Sequence, residues 1–365
     1  MKKQIIIILL ALSCNSCGII AFVVPFNDLP KPTGPFSVGT QIFEWQDNSR
    51  EEWFTQDSAD FRRLVIQIWY PTNDVGFDYL PYIDHPEVRT NTIAEQLNLP
   101  KYFIKHIKNV KSNAILNAAL FTGASPLPII IFSHGLGGMR MQNSVQIEEL
   151  ASRGYFVLSM DHAYDANITV FADGSMADYR SGVRGGLTED EFWEVRLPQL
   201  NTRAADISYI LNKIELLQKQ GINQWKDVDI DRVGVFGHSF GGSSSIVASF
   251  NDSRIDACLN LDGWIVPVES KIIHRGLSIP FLFIGQETWK DSPLNYTKLD
   301  SLIRSSGGDK KLIHGTKHMA FTDTPQFSPI ATKIGISGSL DMHSIRQAIN
   351  AHTLMFFDKN VKGIK

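Results

Sequence analysis

Six residues constrain this chain more than any others. Gly237-His238-Ser239-Phe240-Gly241-Gly242 follows directly on the apolar run Arg232-Val233-Gly234-Val235-Phe236, and Ser243 to Phe250 continues as a helix start. A G-x-S-x-G placed between a strand and a helix makes a nucleophile elbow, a turn so tight that only glycine fits beside the serine. The strain lifts the serine hydroxyl off the sheet edge toward a substrate. The pentapeptide is a moderate signal alone, and its strand-and-helix setting strengthens it.

The surrounding sequence alternates strands and helices. Gln41–Trp45 and Leu64–Tyr70 read as a strand pair, the second stopped by Pro71. Pro128–Phe132, Tyr155–Met160, Val233–Phe236, Ala257–Leu261, Pro280–Ile284 and Asp309–Ile313 read as further strands. Gln142–Ser152, Thr202–Leu217 and Ile345–Phe357 read as helices. Apolar strand runs interleaved with helices predict a mostly parallel sheet covered on both faces, and such sheets bind ligands at the carboxyl ends of their strands. Residues 76–124 are expected as an insertion with a helix near 103–120, because Phe103, Ile107, Val110 and Ala114 recur at helical spacing. Lys101, Lys105, Lys108 and Lys111 fall mostly on its other faces. Residues 163–200 read as a second, irregular insertion.

With 365 residues, 43% hydrophobic, the chain is long enough to bury a sizeable core in one large domain. A formal charge of −3 gives no basic footprint for nucleic acid. The first residues stand apart: Met1-Lys2-Lys3 is basic, and Ile5 through Phe26 carries no charge. Residues 1–26 read as a cleaved secretory signal, a membrane anchor, or a lipoprotein signal with Cys14 as the lipidated residue. Each of these places the rest of the chain outside the cytoplasm; a cytosolic chain is the remaining reading. Residues 27–40, rich in proline and glycine, read as a linker, and 41–365 as the domain. Cys14 and Cys17 lie in the leader, and Cys258 reads as a buried hydrophobe. No metal-ligand cluster and no sign of a cofactor is present.

A serine hydroxyl is a poor nucleophile at neutral pH and needs a base, itself oriented by an acid. With an elbow of this kind the chain order is serine, acid, histidine. His318 follows the last strand after Gly315-Thr316-Lys317 and is the candidate base, with His314 at the strand edge as runner-up. For the acid, Asp262 ends one strand while Glu287 and Asp291 follow the next, and order alone does not choose between them. An oxyanion hole needs two backbone N–H groups. Phe240, after the nucleophile, supplies one. Leu136, in His134-Gly135-Leu136-Gly137-Gly138 after the Pro128–Phe132 strand, is the best-placed second donor. His134 and His238 read as supports.

Four strings together resemble the platelet-activating factor acetylhydrolases, the calcium-independent, lipoprotein-associated type of phospholipase A2: FSHGLGG at 132–138, GHSFGG at 237–242, LDGW at 261–264 and HGTKH at 314–318. The similarity runs from about Gly34 to the C-terminal helix, and LDGW separates this family from generic hydrolases. The resemblance implies an α/β-hydrolase fold and assigns the acid to Asp262, the base to His318 and the oxyanion donors to Leu136 and Phe240. It also implies hydrolysis of short or oxidised sn-2 acyl esters of phospholipids, with a phospholipid substrate and a membrane or lipid surface as partner. Trp264, beside Asp262, is expected to shape the pocket or to sit in the core. The alternatives are a general carboxylesterase or cutinase-like polyesterase. A prolyl-oligopeptidase-like peptidase would normally carry a propeller, for which no repeat is present, and a dead-site binding module would lack the serine or the histidine.

Overall fold

Ile129, Ile130, Ile131 and Phe132 are all fully buried, although alternate residues of a strand point to opposite sides. Ile129 and Ile131 join one apolar cluster, and Ile130 and Phe132 join another. A strand apolar on both faces belongs at the centre of a sheet covered on both sides, and that is where it lies. In this computed structural model, residues 24–76, 78–123, 125–181, 187–287, 289 and 292–364 are described.

The strands are β1 (Ser37–Glu51), β2 (Phe61–Thr72), β3 (Tyr79–Pro81), β4 (Lys111–Leu116), β5 (Leu127–Ser133), β6 (Phe156–His162), β7 (Ile168–Val170), β8 (Met176–Asp178), β9 (Val228–His238), β10 (Ala257–Leu261), β11 (Phe281–Gly285) and β12 (Asp309–Leu312). The helices are α1 (Pro86–Gln96), α2 (Ser144–Ser152), α3 (Glu189–Lys219), α4 (Phe240–Asn251), α5 (Ser270–Arg275), α6 (Pro293–Ser306), α7 (Thr324–Phe327), α8 (Pro329–Lys333) and α9 (Met342–Asn360). Ten strands form one sheet in the order β12-β11-β10-β9-β5-β6-β2-β1-β4-β3, and β7 and β8 form a small hairpin. From β12 to β6 every neighbouring pair is parallel, and β2 runs against both β6 and β1. Helices α3, α4 and α6 cover one face through Ile207, Ile246 and Leu299. Helices α2 and α9 cover the other through Ile147 and Phe357.

Three expectations need correction. The region 103–120 is not a helix. It forms short 3₁₀ turns (Lys101–Phe103, Lys105–Asn109) and then β4, which pairs with β1 and β3, so Ala114 and Ile115 serve sheet packing. The helix of this insertion is α1, which opens with proline and buries Arg89 and Thr90 rather than an apolar stripe. The stretch 163–200 is not irregular throughout: it holds the β7–β8 hairpin and the first turns of α3. Thr188 caps α3 through a capping box with Glu191, and Pro198 sits inside the helix, where a sequence reading would stop it. Gly182, Gly185 and Gly186 lie outside the described residues. Finally, 27–40 is no free linker. Leu29 is buried, Thr33 bonds Glu149 through its N–H at 2.7 Å and its hydroxyl at 2.6 Å, and residues 37–40 open β1.

Candidate active site

The loops that leave β5, β9, β10, β11 and β12 gather at the carboxyl edge of the parallel strands. Ser239 follows β9 with φ 57° and ψ −122°, a backbone state that non-glycine residues rarely adopt. Glycines permit this turn. A methyl group on Gly237 would overlap the Gly241 carbonyl, and one on Gly241 would overlap Ser133. The turn is tied down by Ser239 N–H donating to Leu261 O at 3.1 Å and Trp264 N–H donating to Ser239 O at 3.0 Å. As the first residue of α4, Phe240 has an N–H with no acceptor inside the helix.

Asp262 follows β10, also at positive φ (45°), and is fully buried. Its carboxylate receives four donors. Oδ2 accepts from His318 Nδ1 at 2.6 Å and Gln286 Nε2 at 2.7 Å, and Oδ1 accepts from Gln286 N–H at 3.0 Å and Trp289 Nε1 at 3.1 Å. Two of these four come from Gln286 and one from Trp289, just beyond β11, and no sequence pattern marks either residue. With Nδ1–H directed at Asp262, the lone pair of His318 lies on Nε2. The Trp289 ring meets the His318 ring edge-on, with centroids 5.0 Å apart.

The other acid candidates lie differently. Glu287 pairs with His314, Oε1 to Nδ1 at 2.6 Å, on the exposed rim. Asp291 lies outside the described residues. Thus Asp262 is bonded to His318, while the runner-up histidine holds the competing carboxylate.

His134 and His238 are buried braces. Gln142 Nε2 donates to His238 Nδ1 at 2.7 Å, which leaves His238 Nε2–H to donate to the His318 carbonyl at 3.2 Å. Burial and the neighbouring His318 push its imidazole well below the usual range, so it is neutral. His134 donates from Nδ1 to Gly135 O at 2.6 Å and accepts at Nε2 from His162 N–H at 3.2 Å. Burial and Arg203 keep it neutral too. Arg203 of α3, fully buried, donates to the His134 carbonyl and to Ser133 Oγ. Behind the 134–138 loop, Arg140 bridges Asp161 and Asp84 at 2.6 Å each, and Arg89 joins Asp161 at 2.7 Å. The two guanidinium groups hold Asp84 well below the usual carboxylate range against its burial. This mostly buried quartet anchors Arg140, two residues beyond the turn that carries Leu136.

Ser239, His318 and residues 135–138 line one cavity of about 580 Å³ whose other walls are mainly apolar, among them Tyr82, Ile107, Met319 and Phe327. Trp264 packs behind the elbow, its ring centroid 6.0 Å from that of Phe240 and 5.9 Å from that of Phe192. Cys258 is a buried residue of β10, its thiol pushed up to about 12 by burial. Among the described residues, no group of three or more His, Cys, Asp or Glu is placed to hold a metal ion, and no helix is long and apolar enough to cross a membrane.

A parallel sheet flanked by helices, with a serine elbow at its carboxyl edge, defines an α/β-hydrolase. The family model described as "Platelet-activating factor acetylhydrolase, isoform II" matches residues 23–365. The platelet-activating factor acetylhydrolase of Bos taurus is 30% identical over 374 residues, covering 92% of this chain and 78% of the relative. That of Cavia porcellus is 27% identical over 358 residues, covering 91% and 77%. A ferulic acid esterase from Streptomyces cinnamoneus superposes with a TM-score of 0.74 at 25% identity, covering 92% of this chain and 94% of that one. The chain belongs to the platelet-activating factor acetylhydrolase family, and is an esterase.

Proposed function

We propose that this esterase hydrolyses short or oxidised sn-2 acyl esters of phospholipids through an acyl-enzyme on Ser239, without calcium. The observation that carries the reading is the 2.6 Å bond between Asp262 and His318 in a cavity that also contains Ser239. His318 Nε2 takes the Ser239 proton as Oγ attacks the ester carbonyl. The N–H groups of Leu136 and Phe240 hold the oxyanion. His318 then returns the proton to the departing lysophospholipid alcohol, and water releases the acyl group by the same steps in reverse. Asp262 fixes the tautomer and steadies the imidazolium. The relatives' acetylhydrolase activity supports the ester class, as does a fungal relative described as a probable 1-alkyl-2-acetylglycerophosphocholine esterase, from Arthroderma benhamiae.

The cavity also supports contact with a lipid surface. Leu97, Leu99, Met319, Ile334 and Ile336 line it and are exposed. Exposed apolar residues lining one cavity suit a surface from which an amphipathic substrate enters. The leader suits an extracytoplasmic, anchored or secreted chain.

A general carboxylesterase is the second reading, favoured by the volume of the cavity and the likeness to the ferulic acid esterase. Acetate release from 2-acetyl phosphatidylcholine, with and without a calcium chelator, tests the first. Chelator-resistant release that vanishes in Ser239→Ala is expected. Cleavage of p-nitrophenyl acetate without phospholipid turnover would move the assignment to the second.

A further inference from the structure

Part of the cavity wall is built by the N-terminal end of the described chain. Val24 and Phe26 both line it. Phe26 stacks on His106, with ring centroids 4.4 Å apart and planes 19° apart, and meets Phe327 edge-on at 5.6 Å. Phe327 in turn leans on Tyr82 at 5.3 Å. The backbone is fastened on both sides of the ring. Val24 O contacts His106 Nε2 at 2.6 Å, Asn27 N–H donates to Phe327 O at 2.7 Å, and Leu29 N–H donates to Lys111 O at 3.0 Å. Lys111 N–H answers with a 2.8 Å bond to Asp28. Two segments remote in sequence, 106–111 and the one at Phe327, are thus stitched together by a short strap, and the Phe26 side chain they share lines the same cavity as Ser239.

The volume gives this wall a purpose. At roughly 30 Å³ for a water-sized group, an acetyl group needs only a small part of a cavity of about 580 Å³. The remaining space must receive an apolar portion of the substrate or stay underfilled, and its surface is aromatic and aliphatic rather than polar. Building on the esterase reading above, we infer that Phe26 is a specificity-determining residue, positioned by His106 and Phe327, which sets preference for the longer apolar part of the ester.

The test uses the full chain. The ratio of kcat/KM for p-nitrophenyl octanoate to that for p-nitrophenyl acetate is measured in wild type, Phe26→Ala and Phe26→Leu. Loss of the ring lowers the ratio by about tenfold, the scale of one lost aromatic contact, and leucine restores most of it. An unchanged ratio, or an equal loss on both esters, overturns the inference. Decanoate binding by calorimetry in the Ser239→Ala background makes the same comparison without chemistry. There Phe26→Ala weakens binding about tenfold, and an unchanged Kd overturns the wall. Absence of ester cleavage by the wild type, with the Kd still shifted by Phe26→Ala, would overturn the esterase reading and leave the wall standing.

Discussion

Glu287 is bonded to His314, and so the carboxylate that follows β11 is spent on the rim rather than on His318. Asp262, one strand earlier, is bonded to His318 instead. The two acid–histidine pairs have the same 2.6 Å separation and opposite exposure: Asp262 is fully buried, whereas His314 and Glu287 face water. Desolvation is what makes an orienting carboxylate effective, because its field is not screened.

That contrast sets unequal costs. Asp262→Asn lowers kcat by about 10⁴-fold, the scale seen when an orienting acid loses its charge and the wrong tautomer forms. Glu287→Gln changes kcat less than about threefold, as expected for a solvent-exposed pair. Steady-state kinetics on a 2-acetyl phospholipid decides, and the reverse ranking would place the acid on the wrong strand.

His238 holds the His318 carbonyl and is neutral because burial lowers its imidazole far below the usual value. His238→Gln therefore lowers kcat by about 10- to 100-fold through misplacement of His318, leaves KM nearly unchanged, and does not move the acid-side midpoint of the rate profile. A shift of that midpoint would show that His238 itself titrates in the working range.

Close packing under the elbow makes a methyl group costly. A Cβ on Gly242 would come within 2.5 Å of the buried Asn260 amide, a side chain without a hydrogen-bond partner among the described residues. Gly242→Ala destabilises the fold by about 1–3 kcal/mol, and adding Asn260→Ala recovers part of that loss. Urea denaturation of the two singles and the double measures the coupling. Strict additivity would mean that the methyl meets something else.

Burial lifts the Glu148 carboxyl to about 7 from its ordinary 4.5, against two bonds from Asn113 at 2.9 and 3.1 Å that favour the charged form. The folded chain therefore keeps a proton that the unfolded chain has already released. The stabilisation is present in full below about pH 4.5 and is lost as pH rises to about 7. Thermal melts between pH 5 and 8 should show wild-type stability falling through this group, with a flatter profile for Glu148→Gln. Parallel profiles would remove Glu148 as the cause.

How legible these features were depended on how local their causes are. The elbow could be read because strand, glycines and helix are contiguous, and β5 and β10 because they are short, mostly apolar runs. Order alone left Asp262 level with Glu287 and Asp291, since adjacent parallel strands deliver their ends to the same edge; the LDGW resemblance chose. Helix α1 was hidden because the largest residue it buries is Arg89, matched to Asp84 just before the helix and to Asp161 of β6. The early part of α3 was hidden by Pro198, which tertiary packing tolerates. Gln286 and Trp289 were unmarked because their role exists only once β10 and β11 lie side by side.

The strap at Val24 to Leu29 has a geographical consequence. The described chain begins beside the cavity, because Val24 lines it. Val24 lies ten positions after Cys14, a reach of at most about 35 Å. With a lipid on Cys14, Val24 and the cavity wall it helps form stay within that radius of the bilayer. The enzyme then meets its ester as a surface density and not as a bulk concentration, with turnover governed by diffusion in two dimensions.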